Sequence, residues 1–155
     1  MLSTPSPEKI KDDIKNWTTE KTKLIVRPHD NPKTHFSIWV SPPTPRSIIP
    51  IMVAYPKGGN TIMMGWRWAP EDLDIKAYAA LRDRGRKESI LNAIEGACSV
   101  RGLTLGIDPP DIDHLEQMAI TKEIPVNDLT KERYRKTILD LMFMWKLLMS
   151  QFERL

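Results

Sequence analysis

The chain has 155 residues, 41% hydrophobic and 28% charged, with 23 lysines and arginines against 20 aspartates and glutamates for a net charge of +3. That length is one domain's worth, residues 1–155, and can bury a core without covalent staples. The composition is that of a soluble globular protein, and so slight a charge argues against a nucleic-acid or anionic-membrane surface.

Cys98 is the single cysteine, which excludes an internal disulfide framework and a cysteine-rich zinc or iron–sulfur site. Together with an N-terminus, Met1 to Glu8, that lacks the charged and apolar regions of a secretory signal, it points to the cytoplasm. The longest apolar stretch, residues 138–149, is interrupted by Asp140 and Lys146 and falls short of the roughly 20 residues of a membrane span. Thirteen prolines against seven glycines favour stiff turns and leave little for a glycine-rich phosphate loop.

The first helix is signalled by Ser6 as a cap, Pro7 at the first helical position and Glu8 in the first turn. Ile10, Ile14 and Trp17 then form one apolar stripe. The period changes after it. Lys23 to Arg27 is a short β-type run stopped by Pro28, and His29 to Pro32 is turn chemistry. Phe36, Ile38 and Val40 alternate with Ser37 and Trp39 as a strand with one buried face. Ser41 to Pro45 holds three prolines and reads as loop or strand edge. Ile48 to Tyr55 and Thr61 to Trp68 are strands joined by the turn Lys57-Gly58-Gly59-Asn60, where glycine tolerates positive φ.

Helix resumes near Pro70 with acids in its first turn. Leu73, Ala77 and Leu81 mark one row, and Ile90, Leu91, Ile94, Ala97 and Cys98 continue the period to a cap at Gly102. Gly85 either breaks or weakens this helix. Thr104 to Pro110 is short and ends in two prolines. Met118, Ile120 and Ile124 alternate with Ala119 and Glu123 as one more strand, ended by Pro125. Thr130 caps a last helix running to about Leu155.

That last helix carries two apolar faces: Ile138, Leu141, Met142, Trp145, Leu148, Met149 and Phe152 on one, and Leu139, Phe143, Met144 and Leu147 on the other. A surface helix keeps about half its circumference polar, so both faces need cover, from the same chain or from a second copy. The reading is an α+β domain of order α-β-β-β-β-α-β-α, an antiparallel sheet of about five strands with helices mostly on one face.

This order, with the strand Ile120 to Val126 leading through Asn127-Asp128-Leu129-Thr130 into a long C-terminal helix, resembles the type III secretion chaperone-like fold. The resemblance covers nearly the whole chain. It implies a small α+β dimer that binds protein segments and has no enzymatic activity or cofactor.

Candidate chemistry is sparse. His29 and His35 flank a turn with Asp30 beside them, but no four-ligand metal set is visible. Asp108, Asp111, Asp113, His114 and Glu116 form the densest acidic cluster, which would serve a metal-dependent enzyme, although its spacing fits no EF-hand loop. Arg82, Arg84, Arg86 and Lys87, with Arg101 further on and Trp66-Arg67-Trp68 nearby, would serve nucleic acid, with indoles stacking bases. Asp83 and Glu88 dilute that run. Lys57 to Asn60 is not a Walker loop, no Gly-x-Ser-x-Gly elbow occurs, and Cys98 lies on an apolar stripe as a small buried hydrophobe.

The surplus of five tryptophans and eight methionines is the remaining signal. Met63, Met64, Trp66 and Trp68 share a strand, so alternate members face opposite sides. The expectation is a non-enzymatic protein-binding or chaperone-like dimer with no metal and no membrane contact. Its partners would be itself and an unidentified protein. Its interface would be drawn from Met142, Trp145, Met149, Met63, Trp66 and Trp68.

Overall fold

The structure, a computed structural model, describes residues 4–43, 49–69, 83–108, 110 and 117–153. In chain order the elements are α1 (Pro7–Thr19), β1 (Ile25–Pro28), β2 (Thr34–Ser41), β3 (Ile51–Pro56), β4 (Thr61–Trp68), α2 (Arg84–Arg101), β5 (Thr104–Asp108), β6 (Gln117–Pro125), a short 3₁₀ turn (Val126–Asp128) and α3 (Lys131–Glu153). The strands form one six-stranded antiparallel sheet of order β1-β2-β3-β4-β6-β5. The fold is therefore α+β with an antiparallel meander, β1 to β4, as the sequence predicts, and one strand more.

Contacts divide the chain into two compact units, residues 1–65 with 122–139 and residues 66–121 with 140–155. In the first unit, Ser6 Oγ accepts the Lys9 main-chain N–H at 3.2 Å and Pro7 opens the helix, which satisfies a donor the first turn leaves bare. Ile10, Ile14 and Thr18 recur every fourth residue and are buried, and α1 packs on β1 and β2. Ile38 pairs with Val53, and Val53 with Met64. These three form a fully buried row across the sheet. The adjacent row, on the opposite face, runs Arg27, Trp39, Met52, Gly65, and there Trp39 and Met52 are half-buried. Gly58 takes φ +83° in the β3–β4 turn, the left-handed geometry that glycine adopts without a Cβ clash.

The first half of α3 belongs to this unit. Thr130 caps it, its Oγ1 accepting from Arg133 N at 3.2 Å. Tyr134 is fully buried, its ring 5.9 Å from that of Trp17. The Thr18 hydroxyl donates to the Ile14 carbonyl at 2.6 Å, so the Tyr134 hydroxyl, its other partner, is the donor to Thr18. Glu20 draws Lys131 at 2.9 Å and Arg135 at 3.6 Å.

In the second unit, Asp83 caps α2 by accepting from Gly85 N and Arg86 N. Gly85 sits within the first turn of α2, which starts at Arg84; the expected helical row Leu73, Ala77 and Leu81 lies outside the described residues. Ile90, Leu91, Ile94 and Cys98 are buried. Gly102 ends the helix at φ +67°, with Leu103 N reaching back to Cys98 O at 2.9 Å, a Schellman closure. The strand absent from the sequence reading is β5. Leu105 pairs with Ile120 and Ile107 with Met118. Its alternation spans only five residues around Gly106, and the two prolines that follow mask it as loop.

Of the long apolar stretch in α3, Leu141, Met144, Leu148 and Phe152 go into the core of this unit. They recur at three- and four-residue steps, the stripe a helix buries against one surface. Among the described residues no helix is long and apolar enough to cross a membrane.

Candidate functional site

The tryptophans of β4 are inside the protein. Trp66 is 3% exposed and Trp68 1%. Trp66 Nε1 donates to Leu141 O at 2.9 Å, with the ring edge-on to Trp145 at 5.3 Å. The Trp68 ring lies 5.7 Å from Phe152. Neither indole can meet a partner's surface or stack a base, which corrects both expectations placed on them. Met64, on the same face, is buried too, and Met63, on the other face, is half-buried. Met142, Trp145 and Met149 are likewise half-buried, so they border the core instead of standing clear of it.

What α3 leaves open is a different pair. Phe143 is 44% exposed and Leu139, one turn earlier, 65%. Met144, grouped with them by the sequence pattern, is fully buried. In the second unit, Phe143 faces Arg101 of α2, whose guanidinium carbon lies 4.0 Å from the ring centroid. Arg101 also donates to Ala97 O at 3.1 Å and stands 3.9 Å from Asp140. Its neighbour Val100 is 85% exposed. The result is an exposed aromatic, Phe143, flanked by one cation and one anion. Val100 was legible, since it lies half a turn from Cys98 on the polar side of α2.

A second feature belongs to the first unit. Lys122, Glu123, Ile124 and Pro125 of β6, with Arg133, Lys136 and Thr137 of α3, line a groove of about 440 Å³. Three of these seven side chains are cationic and one is anionic. The sequence signal was the crowd of cations at the start of α3, where the positive end of the helix dipole disfavours them.

The other candidates disperse. His29 Nδ1 is 3.1 Å from Ser37 Oγ, with its ring edge-on to Trp39. His35 packs against Tyr55. Among the described residues no three His, Cys, Asp or Glu side chains gather as a metal site. Of the acidic cluster, Asp108 is exposed and pairs with Gln117 in the sheet, whereas Asp111, Asp113, His114 and Glu116 lie outside the described residues. So does Arg82. Arg84 Nε donates to Glu88 at 3.1 Å, Lys87 is buried and Arg86 exposed, so this run does not present one basic face.

Titration behaviour follows burial. Desolvation pushes the Tyr134 hydroxyl up to about 12 and the Cys98 thiol up to about 11, each held in its neutral form. Glu20 is lowered by its hydrogen bond to Lys131 and by the charges of Lys131 and Arg135.

Residues 10–152 match the model of a family described as "Uncharacterized conserved protein (DUF2299)", so the chain belongs to that family. No curated protein matches the sequence. Among solved structures it is similar to the crystal structure of an uncharacterized protein from Methanothermobacter thermautotrophicus, with 18% identity and a TM-score of 0.73 over 93% of this chain and 96% of that one. Likeness at that identity establishes a shared fold.

Proposed function

We propose that the chain is a non-enzymatic, chaperone-like protein-binding module that acts as a homodimer. The observation that carries this reading is the exposed Phe143 beside the pair Arg101 and Asp140, with the exposed Val100 next to Arg101 in α2. Large apolar side chains left in water favour an interface. A patch holding one charge of each sign is its own complement: under two-fold symmetry Arg101 of one copy meets Asp140 of the other, and the reverse contact follows. A partner of one net charge would gain less there. The element order resembling the type III secretion chaperone-like fold supports the same role, and the shifted titrations of Tyr134 and Cys98 move both groups away from reactivity.

Charge swapping tests it. Arg101→Glu and Asp140→Arg each place like charges across the two-fold axis, so each variant alone is monomeric. Mixed, they form a heterodimer, readable by native mass spectrometry. Two variants that both remain dimeric, or a mixture that stays monomeric, would count against this interface.

A further inference from the structure

The first unit holds an apolar pocket of about 120 Å³, open on one side. Its walls are Trp17 and Thr18 of α1, Leu24 ahead of β1, and Tyr134, Ile138 and Leu139 of α3. The hydroxyls of Thr18 and Tyr134 are spent on each other and on the main chain. Tyr134 donates to Thr18, Thr18 donates to the Ile14 carbonyl, and both residues are buried. Arg135, which also borders the pocket, donates to the Trp17 and Glu20 carbonyls at 3.2 Å each. A water in such a space would lack the two to four polar partners it needs. An apolar cavity of about 150 Å³ stays dry and admits benzene, so a pocket of this size, open to the outside, suits a single apolar ring.

The chain carries such a ring on the same helix. Leu139, 65% exposed, borders the pocket, and Phe143, 44% exposed, follows it by four residues on α3. Side chains at that spacing share a helix face, about 6 Å apart along the axis. A two-fold axis crossing α3 between them sets two copies of the helix antiparallel and brings Phe143 of each over Leu139 of the other. Asp140 lies within the same turn, where the exchange of Arg101 and Asp140 proposed above needs it. We infer that the pocket is filled by the Phe143 ring of a second copy, each copy giving one ring and receiving one. Ring and pocket on one helix face make that surface its own complement, whereas an unrelated ligand would leave the exposed ring in water. Arg101 lies over one face of the ring, which leaves the other face for the pocket. The inference rests on the homodimer reading and names the contact that holds the two copies together.

The test separates ring from pocket. Phe143→Ala removes the ring, and Leu24→Trp fills the pocket. Leu24 is half-buried, so Leu139→Trp at the exposed rim serves as a second filler if Leu24→Trp fails to fold. Sedimentation across a concentration series should show each variant dimerising about tenfold or more weakly than wild type, the effect of losing an anchor residue. Mixed, the ring variant and the filled variant should recover part of the affinity, because their heterodimer keeps one intact ring in one open pocket. Native mass spectrometry reads that heterodimer. Filled variants that dimerise as tightly as wild type, or a mixture no tighter than its parents, would overturn the inference and leave the homodimer standing. A wild-type monomer at every concentration would overturn both. Toluene that stabilises the wild-type dimer as much as it stabilises Phe143→Ala would show a pocket still empty in the dimer, and would likewise overturn the inference.

Discussion

Arg101 lies over the face of Phe143, its guanidinium carbon 4.0 Å from the ring centroid. The contact covers one side of an aromatic ring that the fold leaves 44% exposed. Cation–π contacts at exposed sites contribute about 0.5–1 kcal/mol, too little by itself to explain an aromatic left in water. In the proposed dimer this ring would be covered by the second copy.

Phe143→Glu is accordingly the informative change in α3. It alters an exposed position, so its cost to monomer stability should be about 1 kcal/mol or less, measured by urea denaturation below the dimer's dissociation range. Met142 and Met149 are half-buried. Glutamate there should cost more, because it brings a carboxylate against apolar neighbours. Equal costs at the three positions would show that Phe143 belongs to the monomer core.

Trp66 and Trp68 give a matched pair. Trp66 Nε1 has an acceptor at 2.9 Å, the Leu141 carbonyl. Trp68 Nε1 is buried with no acceptor among the described residues. Phenylalanine removes similar volume at both sites, so the difference isolates the N–H. Trp66→Phe should destabilise more than Trp68→Phe by about 1–2 kcal/mol, since it loses a buried hydrogen bond to a helix carbonyl while the other change deletes an unsatisfied donor. Equal losses in denaturant titrations would contradict this.

Tyr134 sets an alkaline limit. Its hydroxyl, near 10 in the unfolded chain, is pushed up to about 12 by burial. Below pH 10 both states are protonated and the stability is fully present. Between pH 10 and 12 the unfolded state ionises first, so stability is lost, by roughly 3 kcal/mol across the window. Tyr134→Phe should be less stable at pH 7, having lost the bond to Thr18, yet flatter from pH 10 to 12. Parallel profiles for wild type and variant would place the alkaline loss elsewhere.

Cys98 should be inert in the native protein. It is buried, and its thiol is pushed up to about 11, so almost none is thiolate at neutral pH. An aromatic disulfide reagent should titrate no thiol in native protein and one after denaturation. Rapid native labelling would mean that α2 opens readily.

The sequence made the meander legible because Phe36, Ile38 and Val40 alternate cleanly and Gly58 marks a turn. It made the helix ends legible through Ser6, Gly102 and Thr130. It hid β5, where five residues around Gly106 precede Pro109 and Pro110. The candidate surfaces were less visible. Hydrophobicity placed Trp66 and Trp68 at an interface, but long-range packing with Trp145 and Phe152 decides their burial. In α3, Met144 and Phe143 look alike by period, and only the neighbouring elements determine which of them is enclosed. The groove joins residues of β6 to cations crowded at the start of α3, and only the fold brings the two segments together.

The central claim is self-association through Val100 and Phe143, and the most direct test is solution mass by light scattering across a concentration series. The account predicts wild type at twice the 17.9 kDa of one chain and Phe143→Glu at that of a single chain with an unchanged circular dichroism spectrum. Wild type at the single-chain mass throughout the series, or a Phe143→Glu dimer, would contradict it.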